Sequence, residues 1–167
     1  PRVFKSVPPP ISFPTTNDET SMARQDGGVQ ECWQEGQTEE ELHARVKDHF
    51  VPMIDFAREK LAGMEKEFHT IPIWFKATGG ARELTPKARD ELLTSIRKLL
   101  SDQPFYFRDT MARVISGEEE AVFSWACMNF LKGNLIPASE GYGQVTPNGD
   151  AGFSYGTLDL GGSSTQI

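Results

Sequence analysis

Apolar residues recur at helical spacing in three stretches of the chain. The first stretch follows Thr38, which can form a capping box with Glu41, a pattern that begins many helices. We expect this helix to bury the side made by Leu42, Val46, Phe50, Met53, Ile54, Ala57, Leu61 and Met64. Pro52 lies inside the pattern, so we predict either a kink there or the start of a second helix.

Two more helices are predicted further along the chain. Thr85 and Pro86 begin the next one, since proline is tolerated at the first helical position. Its inner face is expected to be Ala88, Leu92, Leu93, Ile96, Leu99 and Leu100. The last helix begins after Ser116 with glutamates that suit the helix dipole, and Gly133 is its expected cap. We expect it to bury the side made by Val122, Trp125, Met128 and Leu131. Asn129, the odd polar residue there, is expected to tie the helix to a neighbouring strand.

Three short apolar runs alternate with these helices and are predicted to be β-strands. They are Ile71–Ala77, Met111–Ile115 and Phe153–Leu160, and a tight glycine turn follows the last one. Residues 1–37 are rich in proline, glycine and polar residues and are expected to be irregular. Strands that alternate with helices predict an α/β fold.

Charge and composition narrow the classes of function. The 167 residues include 17 Lys and Arg against 24 Asp and Glu, a net charge of −7. This argues against a surface that wraps a nucleic acid, but not against a small phosphate ligand held by backbone N–H groups. No apolar run is long enough to predict a membrane span. Two cysteines exclude a disulfide framework. We expect Cys127 to be a buried thiol and Cys32 to be available for a cysteine outside this chain.

The glycine turn near the end of the sequence suits a phosphate ligand. Asp159 ends a predicted strand and is followed by Gly161, Gly162 and hydroxyl residues. Glycines let the backbone approach closely, and successive N–H groups can point at one anion. Asp159 can hold a hydrated divalent cation, because hard cations prefer oxygen ligands. The alternative is an ordinary β-turn.

Two further segments carry candidate chemistry. In the string KATGGAR, Thr78 can bond a metal-bound water, and Arg82 either pairs with a carboxylate or is solvated. An ordinary strand-to-helix turn is the alternative there. In the helix after Ser116, a glutamate that faces a cleft could take a proton from water. The alternative is a solvated, dipole-stabilised helix end.

Together these strings resemble a known family. KATGGAR, ISGEEEAVFSWACMNFLKG and YGTLDLGGSSTQI are similar, in order and spacing, to the second, third and fourth conserved regions of nucleoside triphosphate diphosphohydrolases, the apyrase and ecto-nucleotidase family. The resemblance covers residues 71–167 and implies an actin-like, ribonuclease-H-like fold of two lobes. Residues 38–116 would be part of the first lobe, and residues 117–167 the start of the second lobe with its phosphate loop. Residues 1–37 would be an irregular segment that can include a first-lobe strand.

The resemblance also implies roles for individual residues. Glu120 is similar to the catalytic base, and Glu119 is its rival if the register slips by one. Asp159 and Thr78 are similar to residues that hold the metal ion through water. Six consecutive residues match the family's phosphate- and nucleotide-binding loop: Gly161, Gly162, Ser163, Ser164, Thr165 and Gln166. Two of these, Ser164 and Gln166, match the residues that position the attacking water.

The chain departs from the family pattern in several places. Gly79 stands where the family commonly has Ala, and Ala81 where it often has Met. Ser163 replaces a usual Ala, and Ala121 replaces a usual Gly, which could tilt Glu120. No Asp-x-Gly-Ser/Thr loop precedes the first string, and the family's fifth region is not found. We therefore expect an internal fragment that is inactive alone.

The implied activity is hydrolysis of the terminal phosphate of nucleoside tri- and diphosphates with Ca²⁺ or Mg²⁺. The expected partner is the nucleotide, with no nucleic acid and with membrane contact only through segments outside this chain. The implied location is extracellular, at the cell surface or in the Golgi or secretory lumen. One alternative is an exopolyphosphatase-like enzyme, a class that tends to have an acidic residue where Gln166 stands. Another is a non-catalytic nucleotide-binding relative, for which Ala121 and the missing first loop leave room.

Overall fold

The computed structural model describes residues 27–132, 154–161 and 163–167. Its helices are α1 (Glu39–Lys60), α2 (Gly79–Arg82), α3 (Pro86–Ser101) and α4 (Gly117–Leu131). Its strands are β1 (Phe75–Ala77), β2 (Ala112–Val114), β3 (Asp159–Leu160) and β4 (Thr165–Gln166). Short 3-10 turns span Val29–Cys32, Glu65–Thr70 and Asp109–Met111. The predicted mixed α/β architecture is confirmed. The predicted Gly133 cap lies outside the described residues, and Lys132 is the residue that caps α4.

Helix α1 begins as the capping box predicts. The Thr38 hydroxyl accepts a hydrogen bond from the Glu41 N–H at 3.2 Å, and the Thr38 N–H donates to the Glu41 carboxylate at 2.9 Å. The helix continues through Pro52, so the alternative that a second helix begins there is wrong. Met64 is exposed, because α1 ends at Lys60 and the chain turns away from the core.

The main hydrophobic core lies between α1 and α3. Thr85 caps α3 by accepting from the Ala88 N–H at 3.2 Å, and Pro86 occupies the first turn. Every residue predicted for the inner face of α3 is buried. The α1 residues that meet this face are spaced four apart, and they are Leu42, Val46, Phe50 and Ile54. Burial of each large aliphatic side chain contributes about 1.5–3 kcal/mol, so this interface is a principal source of stability.

Helix α3 returns the chain so that β2 lies parallel to β1. Phe75 pairs with Ala112, and Ala77 pairs with Val114. The strand at Ile71–Ala77 is shorter than predicted: its first part makes only an isolated bridge between Pro72 and Tyr106. Pro72 has no N–H to continue the ladder. Because parallel strands end at the same edge, the segments after Ala77 and after Val114 begin side by side.

The prediction of the buried face of helix α4 is wrong. Val122, Trp125, Met128 and Leu131 are all exposed, and Asn129 is the buried residue. Large apolar residues surround this helix instead of forming one stripe, and within the described residues its main packing partner is β4. Cys127 is exposed for the same reason, so the prediction of a buried thiol is wrong. An apolar surface of this kind is typical of one that packs against another protein surface.

The strand predicted at Phe153–Leu160 is also shorter than expected. Within residues 154–160 only Asp159 and Leu160 form a strand, and they pair antiparallel with Gln166 and Thr165. Before Asp159, the backbone of Tyr155 forms hydrogen bonds with the Asn129 side chain and not, within the described residues, with a neighbouring strand. The Tyr155 N–H donates to Asn129 Oδ1 at 2.8 Å, and Asn129 Nδ2 donates to the Tyr155 carbonyl at 2.9 Å. Asn129 thus ties α4 to this segment, as predicted, although the segment is not a strand there.

Cys32 is buried beneath α1, with its sulfur 3.8 Å from the Arg45 carbonyl. Burial raises the pKa of the Cys32 thiol, which keeps it protonated at neutral pH. A bridge from Cys32 to an outside cysteine would therefore require this region to open. In the part of the chain that the structure describes, no helix has the length and apolarity needed to cross a bilayer.

Candidate functional site

The candidate site lies at the edge where β1 and β2 end. Thr78 follows β1 and leads into α2, while Ile115 and Ser116 follow β2 and lead into α4. The Ile115 N–H donates to the Ala77 carbonyl at 2.9 Å, which holds the two exits together. In open α/β sheets, ligands bind beyond the carboxyl ends of the strands. Two of the three strings identified in the sequence therefore meet at an edge suited to ligand binding.

Arg82 and Glu120 form an ion pair at this edge. Arg82 Nη2 lies 3.0 Å from Glu120 Oε2, and Arg82 Nη1 donates to the Ile115 carbonyl at 2.9 Å. The two side chains are 26% and 15% exposed, respectively. Of the two roles open to Arg82 from sequence, the pairing with a carboxylate is the one observed. The fork of the guanidinium orients Glu120 relative to the end of β2.

Glu119, the rival to Glu120, is held by structural contacts. The Ser116 hydroxyl accepts from the Glu119 N–H at 3.2 Å, and the Ser116 N–H donates to the Glu119 carboxylate at 3.1 Å. Both terminal nitrogens of Arg113 bond the same carboxylate. The Arg113 hydrogen bonds, aided by the Ser116 N–H, lower the pKa of Glu119 to about 2. A carboxylate with so low a pKa is a poor general base at neutral pH.

The glycine turn is a hairpin between β3 and β4. The Gly161 N–H donates to the Ser164 carbonyl at 2.9 Å. A Cβ atom at Gly161 would lie 3.1 Å from that carbonyl oxygen, so glycine is required by the close approach of the backbone. The Gly161 amide is committed within the turn. An anion at this loop would therefore need donors from the residues after Gly161, and Gly162 lies outside the described residues.

The start of α2 touches this hairpin. A Cβ atom at Gly79 would lie 2.3 Å from Ser163 Oγ and 3.0 Å from Ser164 Oγ. Arg82, one helical turn beyond Gly79, holds Glu120. The short α2 helix is therefore in contact with both the predicted base and the predicted phosphate loop. Sequence reasoning missed this role of Gly79, since nothing in the local pattern marks which distant residue occupies the space beside a glycine.

Gln166 is a buried polar residue in the loop strand. It is 7% exposed, and its Oε1 atom has no hydrogen-bond partner within the described residues. A buried acceptor without a donor is costly, and a bound water or ligand is a common solution. Asp159, half-buried, lies opposite Gln166 in the strand register, whereas Thr165 is exposed opposite Leu160.

The predicted metal-holding residues supply oxygen donors. Asp159 is half-buried and Thr78 is exposed. No group of three or more His, Cys, Asp or Glu side chains is arranged to bind a metal within the described ranges. A carboxylate and a hydroxyl oxygen fit a hard cation that keeps most of its own waters, as Mg²⁺ does, better than a directly ligated zinc ion.

A separate cavity of about 300 Å³ lies between the start of α1 and α3. His43 Nδ1 is 3.1 Å from Ser95 Oγ on its wall. None of the predicted site residues lines this cavity.

These features describe an α/β protein with a ligand site at the ends of its strands. The site combines a parallel strand pair, a helix start that contains glycine, an acidic helix start and a glycine hairpin. Residues 38–167 match the GDA1/CD39 (nucleoside phosphatase) family, and the chain belongs to this family. The resemblance drawn from the conserved strings is thereby confirmed.

Individual relatives agree with this assignment. The chain is 42% identical over 99 residues to human ectonucleoside triphosphate diphosphohydrolase 3, a match that covers 58% of this chain and 18% of that protein. It is 35% identical over 99 residues to bovine ectonucleoside triphosphate diphosphohydrolase 1, covering 58% and 19%. It is 36% identical over 96 residues to ectonucleoside triphosphate diphosphohydrolase 5 of Ailuropoda melanoleuca, covering 58% and 19%. The chain thus spans about a fifth of the length of the curated relatives that it matches.

Proposed function

We propose that this chain supplies the general base and the phosphate loop of an enzyme that hydrolyses the terminal phosphate of nucleoside tri- and diphosphates. The observation that carries the proposal is the position of α2. It holds Glu120 through Arg82, and it contacts Ser163 and Ser164 through Gly79. A carboxylate and a glycine loop that both contact one short helix suit water attack on a phosphoryl group.

In the proposed mechanism, Glu120 takes a proton from water as the water attacks the terminal phosphorus. The Ser164 hydroxyl and Gln166 orient this water, and the unpartnered Gln166 Oε1 is suited to accept one of its hydrogens. Phosphoryl transfer depends chiefly on positioning and charge neutralisation. Ser163 and Thr165, with Gly162 as predicted from the sequence, are the further residues proposed to bind the phosphate.

Asp159 and Thr78 would hold a divalent cation, Ca²⁺ or Mg²⁺, through its waters. When bound, such a cation neutralises charge on the phosphate oxygens. The choice between the two ions is open to experiment, because both take hard oxygen donors.

The proposal extends to architecture and location. We place residues 38–116 in the first lobe of an actin-like fold, residues 117–167 at the start of its second lobe, and residues 1–37 in an irregular segment before them. The nucleotide would lie between the lobes. An extracellular, cell-surface or Golgi or secretory-lumen location is part of the proposal, supported by relatives whose names describe them as ectonucleoside enzymes.

The test is phosphate release by the full-length protein from ATP, ADP, UDP and polyphosphate, with Ca²⁺, Mg²⁺ or a chelator. We expect cation-dependent release from the nucleotides. Glu120→Gln should lower kcat by about 10²- to 10⁴-fold, the usual contribution of a general base. Glu118→Gln is the matched control, because Glu118 is an exposed residue in the same helical turn.

Each other result contradicts part of the proposal. Near-normal turnover by Glu120→Gln removes the assignment of the base. Preferential release from polyphosphate identifies an exopolyphosphatase-like enzyme. Nucleotide binding without release identifies a non-catalytic relative.

A further inference from the structure

The Ser163 side chain of the β3–β4 hairpin lies beside Gly79 of α2. A Cβ atom at position 79 would lie 2.3 Å from Ser163 Oγ, 3.0 Å from Ser164 Oγ and 3.2 Å from Ser164 Cβ. Favourable contacts between carbon atoms lie at about 3.5–4.0 Å. In its observed rotamer, the Ser163 hydroxyl therefore occupies the volume that a Cβ atom at position 79 would need.

The backbone does not explain the glycine at position 79. Among the described residues, the glycines with positive φ are Gly27, Gly36 and Gly63. Gly79 is the first residue of α2 and has a conformation that alanine can adopt. Alanine at such a position normally stabilises a protein, because it lowers the entropy of the unfolded chain. The constraint that the structure shows at position 79 is one of space, which the side chains of Ser163 and Ser164 fill.

The hairpin has little to hold it in place by itself. Its strands contain two residues each. An isolated two-stranded hairpin is marginally stable in water, so its position must be set by what it packs against. On the α2 side, that contact is Gly79 against Ser163 and Ser164.

We infer that Gly79 and Ser163 are a size-matched pair in which the Ser163 hydroxyl positions the hairpin against α2. Together with the packing of β4 against α4, this contact sets the distance between the loop and Glu120. Ser163 then acts as a positioning residue through its side chain, in addition to any backbone contact with phosphate. The catalytic consequence rests on the proposed function, whereas the contact itself does not.

The experiment is a double-mutant cycle in the full-length protein with Gly79→Ala, Ser163→Ala and both together. Gly117→Ala is the matched control, because Gly117 is the first residue of α4 and a Cβ atom there would meet nothing within 4 Å. The Tm of thermal unfolding without nucleotide measures how much the contact contributes to stability. Steady-state kinetics with ATP and the preferred cation measure kcat and KM separately.

We expect Gly79→Ala to lower the Tm and to lower kcat/KM at least tenfold, mostly through kcat, because the loop moves relative to the base. Relative to Gly79→Ala, the double variant should recover at least half of the decrease in Tm. Its kcat/KM should be at least fivefold higher than that of Gly79→Ala. Recovery stays partial, since Ser164 Cβ remains close to position 79. Gly117→Ala should leave the Tm equal or slightly higher.

A Gly79→Ala variant with a raised Tm, like the control, overturns the inference, and so do strictly additive effects of the two substitutions. If Gly79→Ala does not fold, recovery of folded protein by the added Ser163→Ala supports the pair, and an equally unfolded double variant refutes it. If the wild-type protein releases no phosphate, the proposed function fails, and the Tm cycle still decides the contact.

Discussion

Arg82 and Glu120 form an ion pair between the helices that follow two adjacent parallel strands, with Nη2 and Oε2 3.0 Å apart. The pair ties Glu120 to the helix that contacts the glycine loop. Arg82 belongs to the same short helix as Gly79, and Gly79 contacts Ser163. The pair is therefore best understood as a support that positions the proposed base.

Arg82→Ala should lower both stability and turnover. It removes a charged hydrogen bond from the largely buried Glu120 and another from the Ile115 carbonyl, which should cost about 1.5–3 kcal/mol of unfolding free energy. A displaced base should lower kcat by about 10²-fold, the usual effect of a 1 Å misplacement. Denaturant unfolding and steady-state kinetics measure these effects.

Arg82→Lys should recover only part of both losses, since lysine lacks the fork that reaches Glu120 and Ile115 together. Arg113→Ala is the control, because it breaks a more exposed Arg–Glu pair at the same edge. Equal kinetic losses in Arg82→Ala and Arg113→Ala would remove the special role of Arg82.

Gln166→Leu should separate stability from activity. The Oε1 atom of Gln166 is buried without a partner among the described residues, so an apolar side chain of similar size should leave stability equal or higher. If that atom accepts a hydrogen bond from the attacking water, kcat should fall by about 10-fold or more, at the lower end of what a lost positioning contact costs. A stability loss with unchanged kcat would show that Gln166 is only structural.

Asn129→Ala should destabilise the protein by about 1–3 kcal/mol, because it removes the side-chain hydrogen bonds that join α4 to the Tyr155 backbone. Asn129→Asp should be comparably harmful, since the carboxylate keeps the acceptor but faces the Tyr155 and Trp125 carbonyls. Urea unfolding measures both. Met128→Ala, at the exposed neighbouring position, is the control and should have a small effect. Similar losses at positions 128 and 129 would contradict the bridging role.

Glu119→Gln should make the free energy of unfolding less dependent on pH at acidic pH. The folded-state pKa of Glu119 is lowered from 4.5 to about 2, so its contribution is present above the unfolded pKa and is lost as the pH falls from about 4.5 towards 2. Glutamine keeps the capping contact but does not titrate. Unfolding free energies measured between pH 2 and pH 7 test this, with the exposed Glu59→Gln as control. An unchanged slope in Glu119→Gln below pH 4.5 would contradict the assignment.

Much of the helical structure is predictable because its causes are local. The caps at Thr38, Thr85 and Ser116 and the buried stripe of α3 depend on residues within a turn or two of each other. The strands are less predictable. Within the described residues, all three predicted strands are shorter than their apolar runs, because pairing depends on partners elsewhere in the chain and because the Tyr155 backbone bonds Asn129.

By itself, the sequence determined where α1, α3 and α4 begin, which face of α3 is buried, and which strings make the chain resemble its family. Only the tertiary structure decided that Glu119 is tied to Arg113 while Glu120 meets Arg82, and that α4 exposes its apolar residues. It alone placed Ser163 beside Gly79. The physical reason is sequence distance: Arg82 and Glu120 are separated by 38 positions, and a contact at that range depends on how the whole sheet edge folds.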